Sequence, residues 1–182
     1  MFRSDRQARV GTVLAYALVG AAAGAVATFL MGKVTQLMYD QEPSAVRRRE
    51  DEARGDKHAY VRAAEKAARA LGRAELTKRQ EEQWGNRIHW SLGIGAGAVY
   101  GAWFALGPHA SVARALGYGT GFFLIFDELL TWALGLTPGP RAFPWQTHAR
   151  GLAGHLVHGL ATHAVVRALD QPARALGIVA EA

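Results

Sequence analysis

The 182-residue chain contains no cysteine. Disulfides, zinc–thiolate sites and iron–sulfur clusters are thereby excluded. Lys and Arg are missing from residues 10–32, 88–113, 115–140 and 151–166. Runs of this kind lack the polar stripe that a soluble amphipathic helix carries, so four helices of a soluble bundle are the weaker reading. Also missing are a nucleophile elbow, a glycine-rich phosphate loop, a Walker motif and a dinucleotide fingerprint, so enzymatic chemistry is not expected. No basic stripe stands apart from acidic residues, which argues against a nucleic-acid partner.

What is present is apolar length. The first three runs exceed the roughly 20 residues that cross about 30 Å of hydrocarbon, and the fourth reaches that length if Arg150 and Arg167 snorkel. The expectation is an all-α integral membrane four-helix bundle, one domain, with spans at about residues 10–32, 88–107, 113–135 and 151–167. Mean hydropathy is close to zero because a charged connection, residues 33–87, offsets the spans. The formal charge of +6 lies outside the spans, where it suits anionic lipid headgroups. Arg3, Arg6 and Arg9 followed by residues 10–23 and Ala25-Val26-Ala27 imitate an export signal. The apolar run continues through Phe29, Leu30 and Met31, so a retained anchor is expected. Those arginines, with Arg167 and Arg174, place both termini on the cytoplasmic side, since the connection is long enough to weaken the charge rule.

Within the connection, Arg47 with Asp51, Arg48 with Glu52 and Glu65 with Arg69 are spaced for pairing along helices. Tyr60, Ala64, Ala67, Leu71 and Ala74 recur at helical spacing, predicting a weakly apolar face on a solvated helical hairpin. Thr77-Lys78-Arg79-Gln80 reads as a capping box, so a helix starts near Lys78 and runs into the second span, with Trp84 and Trp90 at headgroup level. Gly107-Pro108-His109 predicts a tight turn that makes the second and third spans antiparallel neighbours. Residues 135–140 end the third span. An ordered, non-helical interfacial loop follows, held by Trp132, Pro138, Phe143, Pro144 and Trp145. The tail from residue 168 to 182 carries no evident chemistry.

Glycines recur every fourth position, Gly20 and Gly24, then Gly93, Gly97 and Gly101, then Gly117 and Gly121. Such a glycine zipper gives flat helix faces for close packing in lipid, within the bundle or between copies. Asp127 and Glu128 are the ionisable residues inside a span, about 12 Å from its end at Leu136. His155 and His158 lie about 7 and 12 Å inside the fourth span, and His89 opens the second. Alternating span direction puts all of them in one leaflet. A cluster of His89, Asp127, Glu128, His155 and His158 is therefore expected. Its role is open between a hydrogen-bonded structural network, a proton or ion pathway, and a site for zinc, iron or manganese. No His-Glu-x-x-His pair is present, and His109 and His163 read as interfacial or core histidines. The partners expected are the lipid bilayer and a second copy or another membrane protein.

The small-residue stretch 20–31, His89-Trp90, Gly135-Leu136-Thr137-Pro138, Pro144-Trp145 and Gly154-His155-Leu156-Val157 resemble the YagU-like family of bacterial inner-membrane proteins. The resemblance covers the spans and not the connection, which lacks the cysteines of some relatives. Asp127 stands where some relatives carry His. The resemblance implies four spans in a bacterial inner membrane and supplies no mechanism.

Overall fold

A computed structural model describes residues 2–175 apart from 56, 74 and 108–110. The expected turn at Pro108 and His109, Ala74 of the apolar face and residues 176–182 of the tail lie outside the described residues, as do the side chains of Arg3, Arg6 and Arg174. Among the described residues the protein is all-α.

Helix α1 (Phe2–Gln41) has 40 residues, about 60 Å of rise. It contains no proline, and it stops just before Glu42-Pro43, where the proline ring disfavours helical backbone in the preceding residue. Helices α2 (Ser44–Arg54) and α3 (Ala59–Ala70) form the connection. Gly72, at φ +66°, closes α3, and the Gly72 and Arg73 amides donate to Arg69 and Ala68. Helix α4 (Lys78–Leu106) opens on the capping box, in which Thr77 Oγ1 accepts from the Gln80 amide and the Gln80 side chain accepts from the Thr77 amide. Helix α5 (Val112–Phe122) continues as a π-helical segment (Phe123–Leu130) and a last α turn, α6 (Thr131–Ala133). Gly135, at φ +62°, ends it. The third run is thus not one regular helix. The loop that follows is ordered but not free of helix, since Pro140–Ala142 form a 3-10 turn before α7 (Trp145–Ala175).

Helix α1 packs along α4 and α7, α5 packs on α7, and α3 lies on α4. Helices α4 and α5 meet instead through side chains. Tyr118 donates to the Ala96 carbonyl at 2.5 Å, Tyr100 and Tyr118 stack edge to face, and Arg114 lies over Trp103. These pairs run in opposite order along the two helices, so α4 and α5 are antiparallel. On α3 the buried face is Ala64 and Ala68, whereas Ala67 and Leu71 are exposed, and Val61 abuts Gly85 of α4. The expected face is therefore turned by one position, and it rests on protein.

The α1–α4 seam is built from glycine. A Cβ on Gly20 or Gly24 would strike the backbone of Gly93, Gly97 or Gly101, one on Gly97 would strike Gly20 and Gly24, and one on Gly93 would strike Thr28. Gly117 and Gly121 instead face open space. The close approach of α5 to α7 is made by Gly119, against the His155 backbone, and by Gly159 against Ala115 and Gly119. One helix, over Arg9–Gln41, is long and apolar enough to cross a membrane. The apolar parts of α4 and α7 are rich in Gly, Ala and His, not Leu and Ile, which lowers their hydropathy. The third run divides at the π segment.

Candidate functional site

The residues singled out in the sequence gather at the end of the bundle where α1, the connection, the π segment and the start of α7 meet. Arg150, which opens the apolar part of α7, donates to Glu50 at 2.6 Å and to Glu42, and its guanidinium lies over the Tyr39 ring at 5.0 Å. Glu50 accepts in addition from Thr147 at 2.9 Å and from Arg54. Burial alone would raise the Glu50 carboxyl. The hydrogen bonds from Arg150 and Thr147, with the charges of Arg150 and Arg54, more than reverse this and hold it below the usual carboxylate range. This network ties α2 to α7. Sequence spacing does not reveal it, because its partners lie about a hundred residues apart in the chain, Arg150 with Glu42 and Glu50.

The expected pairs in the connection are only partly formed. Arg48 and Glu52 approach to 3.8 Å on the surface. Arg47 instead lies over Tyr39 and donates to the Asp40 carbonyl, and Glu65 accepts from Lys57. Lys57 also donates to Glu81, and these two hydrogen bonds raise its pKa while holding the α2–α3 turn against α4.

The structure divides the expected cluster into pairs. His148, which was not singled out, donates from Nδ1 to Glu128 at 2.6 Å and from Nε2 to the Pro140 carbonyl at 3.0 Å. Asp127 faces His155, with Oδ2 3.7 Å from Nδ1. That is too long for a hydrogen bond, and the His155 Nδ1 proton goes to the Gly151 carbonyl at 2.9 Å. His89 lies tilted against the Tyr60 ring, with centroids 5.1 Å apart. His158, wholly buried, donates from Nε2 to the Gly93 carbonyl at 3.1 Å, directly at the glycine seam. Its Nδ1 and the Thr162 Oγ1 one turn on have no hydrogen-bond partner among the described residues. His163 accepts at Nδ1 from Tyr100 at 2.7 Å inside the core.

Among the described residues no three His, Asp, Glu or Cys side chains are placed to share a metal ion. Glu128 turns to His148 and His89 lies against Tyr60, while His89, Asp127 and His155 line one cavity. Val166, wholly buried in an apolar cluster with Tyr16 and Ala23, lies on α7 between His163 and Asp170.

Two cavities flank Asp127. The larger, about 590 Å³, is lined by Glu50, Arg54, His58, Glu128, His148 and Arg150 among others. The smaller, about 190 Å³, is lined mostly by Leu92, Phe122, Phe126, Leu130, Leu134 and Leu136, with His89 and His155. Asp127 and Tyr60 line both. Burial, and next the Asp127 carboxylate, push the Tyr60 phenol well up, so it faces the cavities as a neutral hydroxyl. Around them, Trp132 and Trp145 are exposed and Pro144 is buried. Trp132 packs on Gly139, whose φ of +106° and lack of a Cβ make room for the indole. Pro138 is exposed and Phe143 half-buried. No protein-family model, curated protein or solved structure matches this chain.

Proposed function

We propose that the chain is a multi-pass protein of a bacterial inner membrane, a bundle of four crossing segments of the YagU-like kind. It works without chemistry of its own, as an accessory or structural component whose polar end binds a partner or ligand. The observation that carries this reading is an inverted distribution of polarity. Leu14, Leu18, Phe29, Leu124, Ile125 and Trp103 are exposed, Leu18 by 74%, while His155, His158, Thr162 and Thr28 are buried. In water so much exposed apolar surface would be costly, whereas in lipid it is the required exterior. The apolar window of α1 is only 33% buried, which fits a lipid-facing helix better than a core helix of a soluble fold. Buried histidines and threonines with interhelical hydrogen bonds, and glycine seams in place of large apolar side chains, are what helix association in lipid favours.

In this reading both termini face the cytoplasm, and α2, α3 and the 135–144 loop stand together on the opposite side. The absence of cysteine makes the test simple. Single cysteines are introduced by Arg73→Cys in the connection and Ser111→Cys between α4 and α5, both exposed. A membrane-impermeant maleimide should label Arg73→Cys in intact spheroplasts and Ser111→Cys only after lysis. Recovery of the protein in the soluble fraction, or equal labelling of both sites in intact cells, overturns the reading.

A further inference from the structure

Asp127 differs from the other carboxylates of the site. Glu50 is held by two arginines, Glu42 by Arg150, and Glu128 by His148. Asp127 has no guanidinium or ammonium within ion-pair distance among the described residues, and the His155 ring beside it, at 3.7 Å, already donates to the Gly151 carbonyl. One third of its side-chain surface is open, and it opens onto the two cavities that it separates. On the apolar side stand the rings of Phe122 and Phe126, and Tyr60 lines both cavities. The backbone here is the π-helical segment, a geometry that recurs at functional sites because it displaces a side chain from the regular helical face.

We propose that the two cavities form one binding site for a small lipophilic cation, the apolar part in the smaller cavity and the ammonium against Asp127. The chemistry selects this class. A carboxyl group with no guanidinium or ammonium partner at an apolar mouth disfavours anions and gains most from a cation that brings its own apolar cover and holds it ionised. Aromatic faces add attraction for the same charge. A cavity of about 190 Å³ holds a phenyl or short branched alkyl group, and the larger one leaves the charged end access from the connection side. The inference goes beyond the membrane reading and stands apart from it, since it requires only that the helices pack as they do here.

The test uses the full chain purified in an uncharged maltoside detergent, with benzyltrimethylammonium as the probe, followed by equilibrium dialysis. Wild type should bind the probe saturably. Asp127→Asn, which keeps the shape and removes the charge, should weaken binding by about tenfold or more, the ratio that 1.4 kcal/mol corresponds to. Glu52→Gln, on the exposed face of α2 beside Arg48 and lining neither cavity, should stay within about threefold of wild type. Elution volume and helical circular dichroism verify that each variant is folded. Absence of saturable binding to wild type overturns the proposal. So does equal binding by wild type and Asp127→Asn, or an equal loss in both variants, which would assign the effect to the overall charge of the protein. The maleimide experiment reads insertion alone, so failure here leaves the bilayer reading standing.

Discussion

Single glycines in this chain divide into two kinds that the sequence alone does not separate. Gly97 sits where any side chain would meet the backbone of Gly20 and Gly24, and Gly117 has nothing within reach of a Cβ. Gly97→Ala should therefore force α1 and α4 apart and cost on the order of 1–3 kcal/mol, the usual penalty of overpacking. Gly117→Ala should leave the structure intact and raise stability by roughly 0.5–1 kcal/mol, because alanine has less backbone freedom to lose in a helix. Thermal unfolding of both variants in detergent measures the pair, and equal shifts of the same sign would contradict the seam. The every-fourth-residue pattern identifies Gly20, Gly24, Gly93, Gly97 and Gly101, but it cannot say which face of α5 meets α7. There the contact falls on Gly119 and Ala115, half a turn from Gly117 and Gly121.

At the scale of elements, Arg150 fastens α2 to α7, as Lys57 fastens the α2–α3 turn to α4. Arg150→Met would leave Glu50 and Glu42 without their shared partner, and removal of one member of a buried pair costs about 3–5 kcal/mol. Adding Glu50→Gln to Arg150→Met should recover part of that loss, because the uncompensated charge is what destabilises. The same carboxylate makes an acid-sensitive latch. A carboxyl whose folded pKa lies below its unfolded value stabilises the fold above the unfolded pKa, and loses that contribution as pH falls through the folded one. Glu50 has its folded pKa lowered from 4.5, so wild type should lose stability as pH falls below that value, and Glu50→Gln should follow a flatter curve there. Unfolding midpoints taken through that range check it. Which of these features could be read beforehand depends on the range of the interaction. The Thr77–Gln80 capping box, the stop at Pro43 and the helical connection are local and legible. The Arg150 network, the Glu128–His148 pair and the π segment arise when distant elements meet. Placing the carboxylates and histidines at one end of the bundle needed only the alternation of helix direction, but choosing each partner needed the packing.

The whole molecule offers a ruler for its solvent. Trp84 and Trp103 are both 42% exposed on α4, and their separation of 19 positions amounts to about 28 Å of helix, close to the thickness of a hydrocarbon layer. Each carries a nearby guanidinium, Arg87 over Trp84 at 4.8 Å and Arg114 over Trp103 at 3.9 Å. Paired indole and arginine at both ends of an apolar stretch match the interfacial belts of a crossing helix. Trp132 and Trp145, exposed at the connection side, extend the belt at that end. Variants that retain only Trp84 or only Trp103, with Phe at the other four tryptophan positions, can be reconstituted into vesicles whose lipids carry bromine either near the headgroup or near the chain ends. Both indoles should be quenched more strongly by the shallow bromines than by the deep ones. If α4 crosses the bilayer, the two tryptophans lie at opposite faces, so an aqueous quencher added outside sealed vesicles of uniform orientation should reach one and not the other. Failure of either bromine position to quench would return α4 to water, and access of the aqueous quencher to both indoles would lay the helix along one surface.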